Sequence, residues 1–72
     1  MPKSVEDLKE RLERAVKDLK LSDRVSLIFY DFDEDIMTIE LNRGQDGMDF
    51  YDILLNNKIL LKNDQINITI LK

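Results

Sequence analysis

In the first third of this chain the apolar residues recur every three or four positions. In the middle third they recur at every second position. No single element satisfies both spacings, so the chain has to build helix and sheet within one small domain. Val5, Leu8, Leu12, Ala15, Val16 and Leu19 predict one face of a helix over residues 5–19. Ser4 is placed to cap it, with Asp7 three residues on in a shortened capping box. Glu10 with Arg14 and Glu13 with Lys17 are favourable i,i+4 pairs, and Lys17 and Lys20 suit the negative end of the helix dipole.

From Arg24 to Tyr30 the spacing is that of a strand, with Val25, Leu27 and Phe29 assigned to the core and Ser26, Ile28 and Tyr30 to the other face. A polar turn at residues 31–35 leads into a second strand from Ile36 to Leu41. There Met37, Ile39 and Leu41 alternate with Thr38 and Glu40, and the short connection predicts an antiparallel hairpin. Asn42 to Gly47 is the glycine-bearing loop, with positive φ expected at Gly44 and Gly47. A short helix follows over Asp49–Asn56, capped by Asp46 or Asp49, with Phe50, Ile53, Leu54 and Met48 turned inward. Two strands, Lys58–Leu61 and Gln65–Leu71, close the chain around Lys62-Asn63-Asp64, and Ile66, Ile68 and Ile70 share one face of the second.

The expected order is therefore α-β-β-α-β-β, a single α+β domain over residues 1–72. Its four-stranded mixed sheet carries both helices on one face. This order resembles a ubiquitin-like β-grasp with an added N-terminal helix, and equally a permuted ferredoxin-like sandwich. At 72 residues and 8.5 kDa there is room for one core only.

The composition narrows the chemistry. With no Cys there is no disulfide, zinc–thiolate or cysteine-nucleophile chemistry, and with no His there is no imidazole base or ligand. No apolar leader is expected ahead of the first helix. The longest apolar runs, Leu27–Tyr30 and Ile53–Leu55, fall far short of a membrane span, so a cytoplasmic location away from membranes is expected. A net charge of −4 argues against a nucleic-acid backbone as direct partner.

Leu27-Ile28-Phe29-Tyr30-Asp31-Phe32-Asp33 resembles the first motif of haloacid-dehalogenase-type phosphotransferases. That resemblance implies Asp31 as nucleophile, Asp33 as general acid and Mg²⁺ between them. The family's later Lys, Ser/Thr and acidic motifs do not fit the rest of the chain, and its parallel sheet needs about twice this length or more. Asp31, Asp33 and Asp35 occupy positions 1, 3 and 5 of an EF-hand loop, yet Ile36 stands where its glycine belongs and Asn42 where its glutamate belongs. Gly44-x-x-Gly47 is similar to the GxxG loop of KH domains, but it follows a strand and contains Asp46. The expectation is a non-enzymatic protein with no cofactor and no metal.

Charge is distributed unevenly. Residues 31–52 hold Asp31, Asp33, Glu34, Asp35, Glu40, Asp46, Asp49 and Asp52 against Arg43 alone. The expected function is a protein-interaction module whose acidic middle docks a partner with a basic surface, as a phage or mobile-element inhibitor or regulator does. Its candidate residues are Asp31, Phe32, Asp33, Glu34, Asp35, Asp46, Asp49 and Asp52. Phe32 is either an interface anchor among carboxylates or a ring folded back over the sheet edge. The alternative is a structural or designed scaffold with no ligand. Ile28, Tyr30 and Leu71 on the second sheet face, and the stripe on the first helix, also suggest a homodimer through the sheet or the N-terminal helix.

Overall fold

The computed structural model describes residues 3–61 and 63–72. Met1, Pro2 and Lys62, the last a member of the expected Lys62-Asn63-Asp64 joint, lie outside the described residues. Helix α1 runs over Lys3–Asp18, so Ser4 falls inside the helix rather than at its cap. A single 3-10 turn at Ser22–Arg24 leads into β1 (Val25–Asp31) and β2 (Ile36–Leu41), then α2 (Gly47–Asn56) and β3 (Ile66–Ile70).

Strands β1 and β2 pair antiparallel, and β3 adds parallel to β2 after the crossover through α2. The sheet order is β1-β2-β3. Two helices and a three-stranded mixed sheet make a small α+β domain. The expected fourth strand does not form among the described residues, so neither four-stranded arrangement describes this sheet.

The reason lies at the end of α2. Lys58 adopts φ +59°, its N–H bonds the Leu55 carbonyl at 3.0 Å, and the Ile59 N–H bonds the Leu54 carbonyl at 2.9 Å. These two bonds form a Schellman motif, which turns residues 57–60 back across the helix end. Leu60, expected in a strand, is buried as a plug in the core. Helix α1 ends in the same way: Lys20 stands at φ +57°, with Lys20 N–H on the Lys17 carbonyl and Leu21 N–H on the Val16 carbonyl.

Strand β1 departs from simple alternation. Its register shifts between Val25 and Leu27, where Ser26 is the extra residue of a bulge. Val25 opposes Leu41, while beyond the bulge Ile28 opposes Ile39 and Tyr30 opposes Met37. The core face is therefore Val25, Ile28 and Tyr30. Leu27, 52% exposed, and Phe29 lie on the opposite face, reversing the expected assignment.

The core joins Leu8, Leu12 and Ala15 of α1, Met37, Ile39 and Leu41 of β2, and Phe50 and Leu54 of α2, with Leu21 and Leu60. Val16, Leu19, Ile53, Ile66 and Ile68 pack around it. β2 is central and the most deeply buried strand; Met37, Ile39 and Leu41 face the core as their alternation predicted, but Thr38, expected on a wet face, is buried as well. Gly47 opens α2 against β3, where an added Cβ would stand 3.4 Å from Ile68 Cγ2; Gly44 alone of the two glycines has positive φ, at +84°.

Candidate functional site

The β1–β2 hairpin tip is built by its own carboxylates. Asp31 Oδ1 accepts the N–H groups of Asp33 (2.9 Å) and Glu34 (3.2 Å), which closes the turn below Phe32. Asp35 takes φ +57°, a conformation that Asp and Asn tolerate better than most side chains. Asp31 and Asp35 therefore shape the turn, while Asp33 and Glu34 project into solvent.

Phe32 stands at the tip, 78% exposed. Its ring meets Tyr30 edge to face, with centroids 5.1 Å apart and planes at 79°. Beside the tip end of the hairpin is a cleft of about 250 Å³, lined by Val5, Leu8, Tyr30, Asp35, Ile36 and Gln65 together with Met37.

The remaining acidic candidates lie elsewhere. Asp46 is the N-cap of α2, its Oδ1 accepting the N–H groups of Met48 (3.0 Å) and Asp49 (3.2 Å). Asp49 accepts a hydrogen bond from Arg24 Nη2 at 3.1 Å, and Asp52 is exposed a turn further along α2. The tip lies before Ile36 and the α2 cap lies after Leu41. The six residues of β2, about 20 Å at 3.3 Å each, therefore separate the two groups. The acidic segment forms two patches: Asp31, Phe32, Asp33, Glu34 and Asp35 at one end of the sheet, Asp46, Asp49 and Asp52 at the other. Among the described residues no three carboxylates are arranged to hold a metal ion.

Arg24 organises the second patch. Besides Asp49, its Nε donates to Gln45 Oε1 at 2.6 Å, and its guanidinium carbon lies 5.5 Å from the centroid of the Phe50 ring. The Arg24 carbonyl accepts the Asn42 N–H, and Asn42 Nδ2 donates to the Asp23 carbonyl. This brace holds the glycine-bearing loop against the 3-10 turn.

Met48, Tyr51 and Leu55 are an exposed apolar stripe on α2, of which Tyr51 and Leu55 had no expected place. Met48, expected inside, is 79% exposed. Their spacing of three and four was available in the sequence, but Phe50, Ile53 and Leu54 offer the same spacing, and only one set can face the sheet.

No protein-family model, curated protein or solved structure matches this chain at a significant level. No helix among the described residues is long and apolar enough to cross a membrane.

Proposed function

We propose that this chain is a non-enzymatic protein-interaction module whose β1–β2 hairpin tip docks a partner with a basic surface. The observation that carries the reading is Phe32, a large apolar ring at 78% exposure followed by the exposed carboxylates of Asp33 and Glu34. This is the usual composition of an interface anchor with an electrostatic rim.

The turn beneath it supports the same reading. Asp31 and Asp35 satisfy the local backbone, and Tyr30 braces the ring, so the tip is ordered before a partner arrives. The cleft beside Tyr30 and Asp35 gives room for a partner's long side chain, with a carboxylate at its rim. An Arg or Lys stem with its cationic head matches that lining.

The test is capture from a lysate of the source organism at low and high salt. The wild type is compared with Phe32→Ser and with the double variant Asp33→Lys/Glu34→Lys. All three side chains are exposed, so both variants should melt within a few degrees of wild type. Wild type should retain a partner that both variants lose and that high salt elutes. Equal capture by the charge-reversed variant would remove the hairpin tip from the account.

A further inference from the structure

The two edges of the sheet are built differently. β1 carries the Ser26 bulge, with Arg24 just before the strand and Asp31 at its end, the devices that blunt an edge against pairing. β3, Ile66-Asn67-Ile68-Thr69-Ile70, has no charge, no proline and no bulge, and among the described residues it pairs with β2 alone.

The direction of its free groups follows from one bond. Leu71 N–H donates to the Leu41 carbonyl at 2.9 Å, and Leu41 is in register with Ile70. In a parallel ladder successive residues turn their main-chain groups to alternate sides. The odd-numbered residues of β3 therefore face β2, and the N–H and C=O groups of Ile66, Ile68 and Ile70 line the outer edge.

Above that edge runs the exposed stripe of α2. Gly47, Met48, Tyr51, Asp52, Ile66 and Ile68 line an open groove of about 350 Å³ between helix and strand. Ile70 and Leu71 extend the apolar surface, each more than two-fifths exposed.

We propose that a second copy of this chain docks here, its β3 pairing antiparallel with the first about a two-fold axis at Ile68. Three observations select a second copy over another partner. The register is self-complementary: with Ile68 opposite itself, Ile66 meets Ile70 of the second copy, and these hydrogen-bonded pairs join residues whose main-chain groups point outward, with Asn67 and Thr69 forming the non-hydrogen-bonded pairs between them. The strand edge itself is uncharged and Asp52 is the one charged residue lining the groove above it, so the surface is mainly apolar, in contrast to the hairpin tip. The area reaches the threshold: Met48, Tyr51, Leu55, Ile70 and Leu71 expose roughly 500 Å² per copy, so their full burial in a pair would remove about 1,000 Å², the lower bound of a specific interface.

The product is a continuous six-stranded sheet with the two α2 helices side by side. Met48 of one copy then lies near Leu55 of the other, and the hairpin tips remain free. The blunted β1 edges end up outermost, so assembly stops at two.

Sedimentation equilibrium at about 100 μM tests this, since even a weak dimer is populated there. The wild type should weigh twice 8.5 kDa, and its dissociation constant should be nearly independent of salt. Ile70→Pro removes one outward N–H and no ladder bond to β2. Met48→Glu/Leu55→Glu places charge on the exposed stripe. Each should raise the dissociation constant at least about tenfold while the far-ultraviolet spectrum stays that of wild type. If Ile70→Pro fails to fold, the helix variant decides alone.

A wild type at 8.5 kDa would overturn the proposal, whether or not it takes up a strand from another protein. So would a dimer indifferent to both variants, or open-ended assemblies larger than two. Phe32→Ser, which tests the hairpin tip, should leave the dimer intact, so the two readings fail separately.

Discussion

Arg11 and Asp64, 53 positions apart in sequence, meet at 2.9 Å and fasten the first helix to the approach of the last strand. The same Arg11 nitrogen donates to the Ile59 carbonyl at 2.8 Å, and the same Asp64 oxygen accepts the Leu61 N–H at 2.9 Å. The segment that was expected to be a strand is thus held by side chains instead of a ladder.

Removing Asp64 strips partners from both groups, so Asp64→Ala should cost about 1–2 kcal/mol in urea unfolding. The hydrogen bond from Arg11 holds the Asp64 carboxyl below the ordinary carboxylate range, aided by the Leu61 N–H and the Arg11 charge and opposed by burial. A carboxyl depressed in the folded state adds stability above its unfolded pKa and loses it as pH falls through the folded value. Wild type should therefore lose stability relative to Asp64→Asn below about pH 4, and the two curves should converge in acid.

Lys20 and Lys58 both occupy the left-handed position that ends a helix, where glycine carries no Cβ penalty. Lys20→Gly and Lys58→Gly should each raise stability by about 0.5–1 kcal/mol, the relieved strain outweighing the added chain entropy. In a domain of this size that is a melting shift of several degrees, readable by calorimetry. Alanine at the same positions should gain nothing.

The bulge at Ser26 makes a ranking within β1. Ile28 packs against the core and Leu27 is half exposed, so Ile28→Ala should destabilise by about 1–3 kcal/mol and Leu27→Ala by about 0.5 kcal/mol or less. Uninterrupted alternation from Val25 requires the opposite order. Denaturant midpoints of the two variants settle it.

Thr38 is 2% exposed at the centre of the sheet, and its hydroxyl has no hydrogen-bond partner among the described residues. Thr38→Val keeps the shape and removes the orphaned group. It should stabilise the fold by about 1 kcal/mol, measured against wild type in guanidinium.

The legible parts of this fold are those with one unambiguous period. The stripe from Val5 to Leu19, the alternation of Met37, Ile39 and Leu41, and that of Ile66 and Ile68 all became core-facing or core-flanking sides, while Ile70 at the end of the last strand stays exposed. Val25–Tyr30 was ambiguous because apolar residues occupy both of its faces, so a one-residue bulge could reverse them unseen. Ile59-Leu60-Leu61 resembled a strand because an apolar run carries no mark of the helix end that folds it back, and lysine gives no hint of the left-handed turn. At the candidate site, linear charge gathered eight carboxylates into one segment. Only the course of β2 and α2 reveals that they leave in opposite directions.

The parallel pairing of Met37 with Ile66 also orders events in time. The β1–β2 hairpin closes through four turn residues, on the scale of about 1–10 μs for such elements. β3 instead has to wait until α2 and the segment after it have spanned the sheet, a closure with a larger entropic cost. During that interval the flank of β2 that will receive β3 is bare, and its Met37, Ile39 and Leu41 are only partly covered. Amide exchange should record this sequence, with the β1–β2 hydrogen bonds outlasting those of β3 as the chain opens from its C-terminal side.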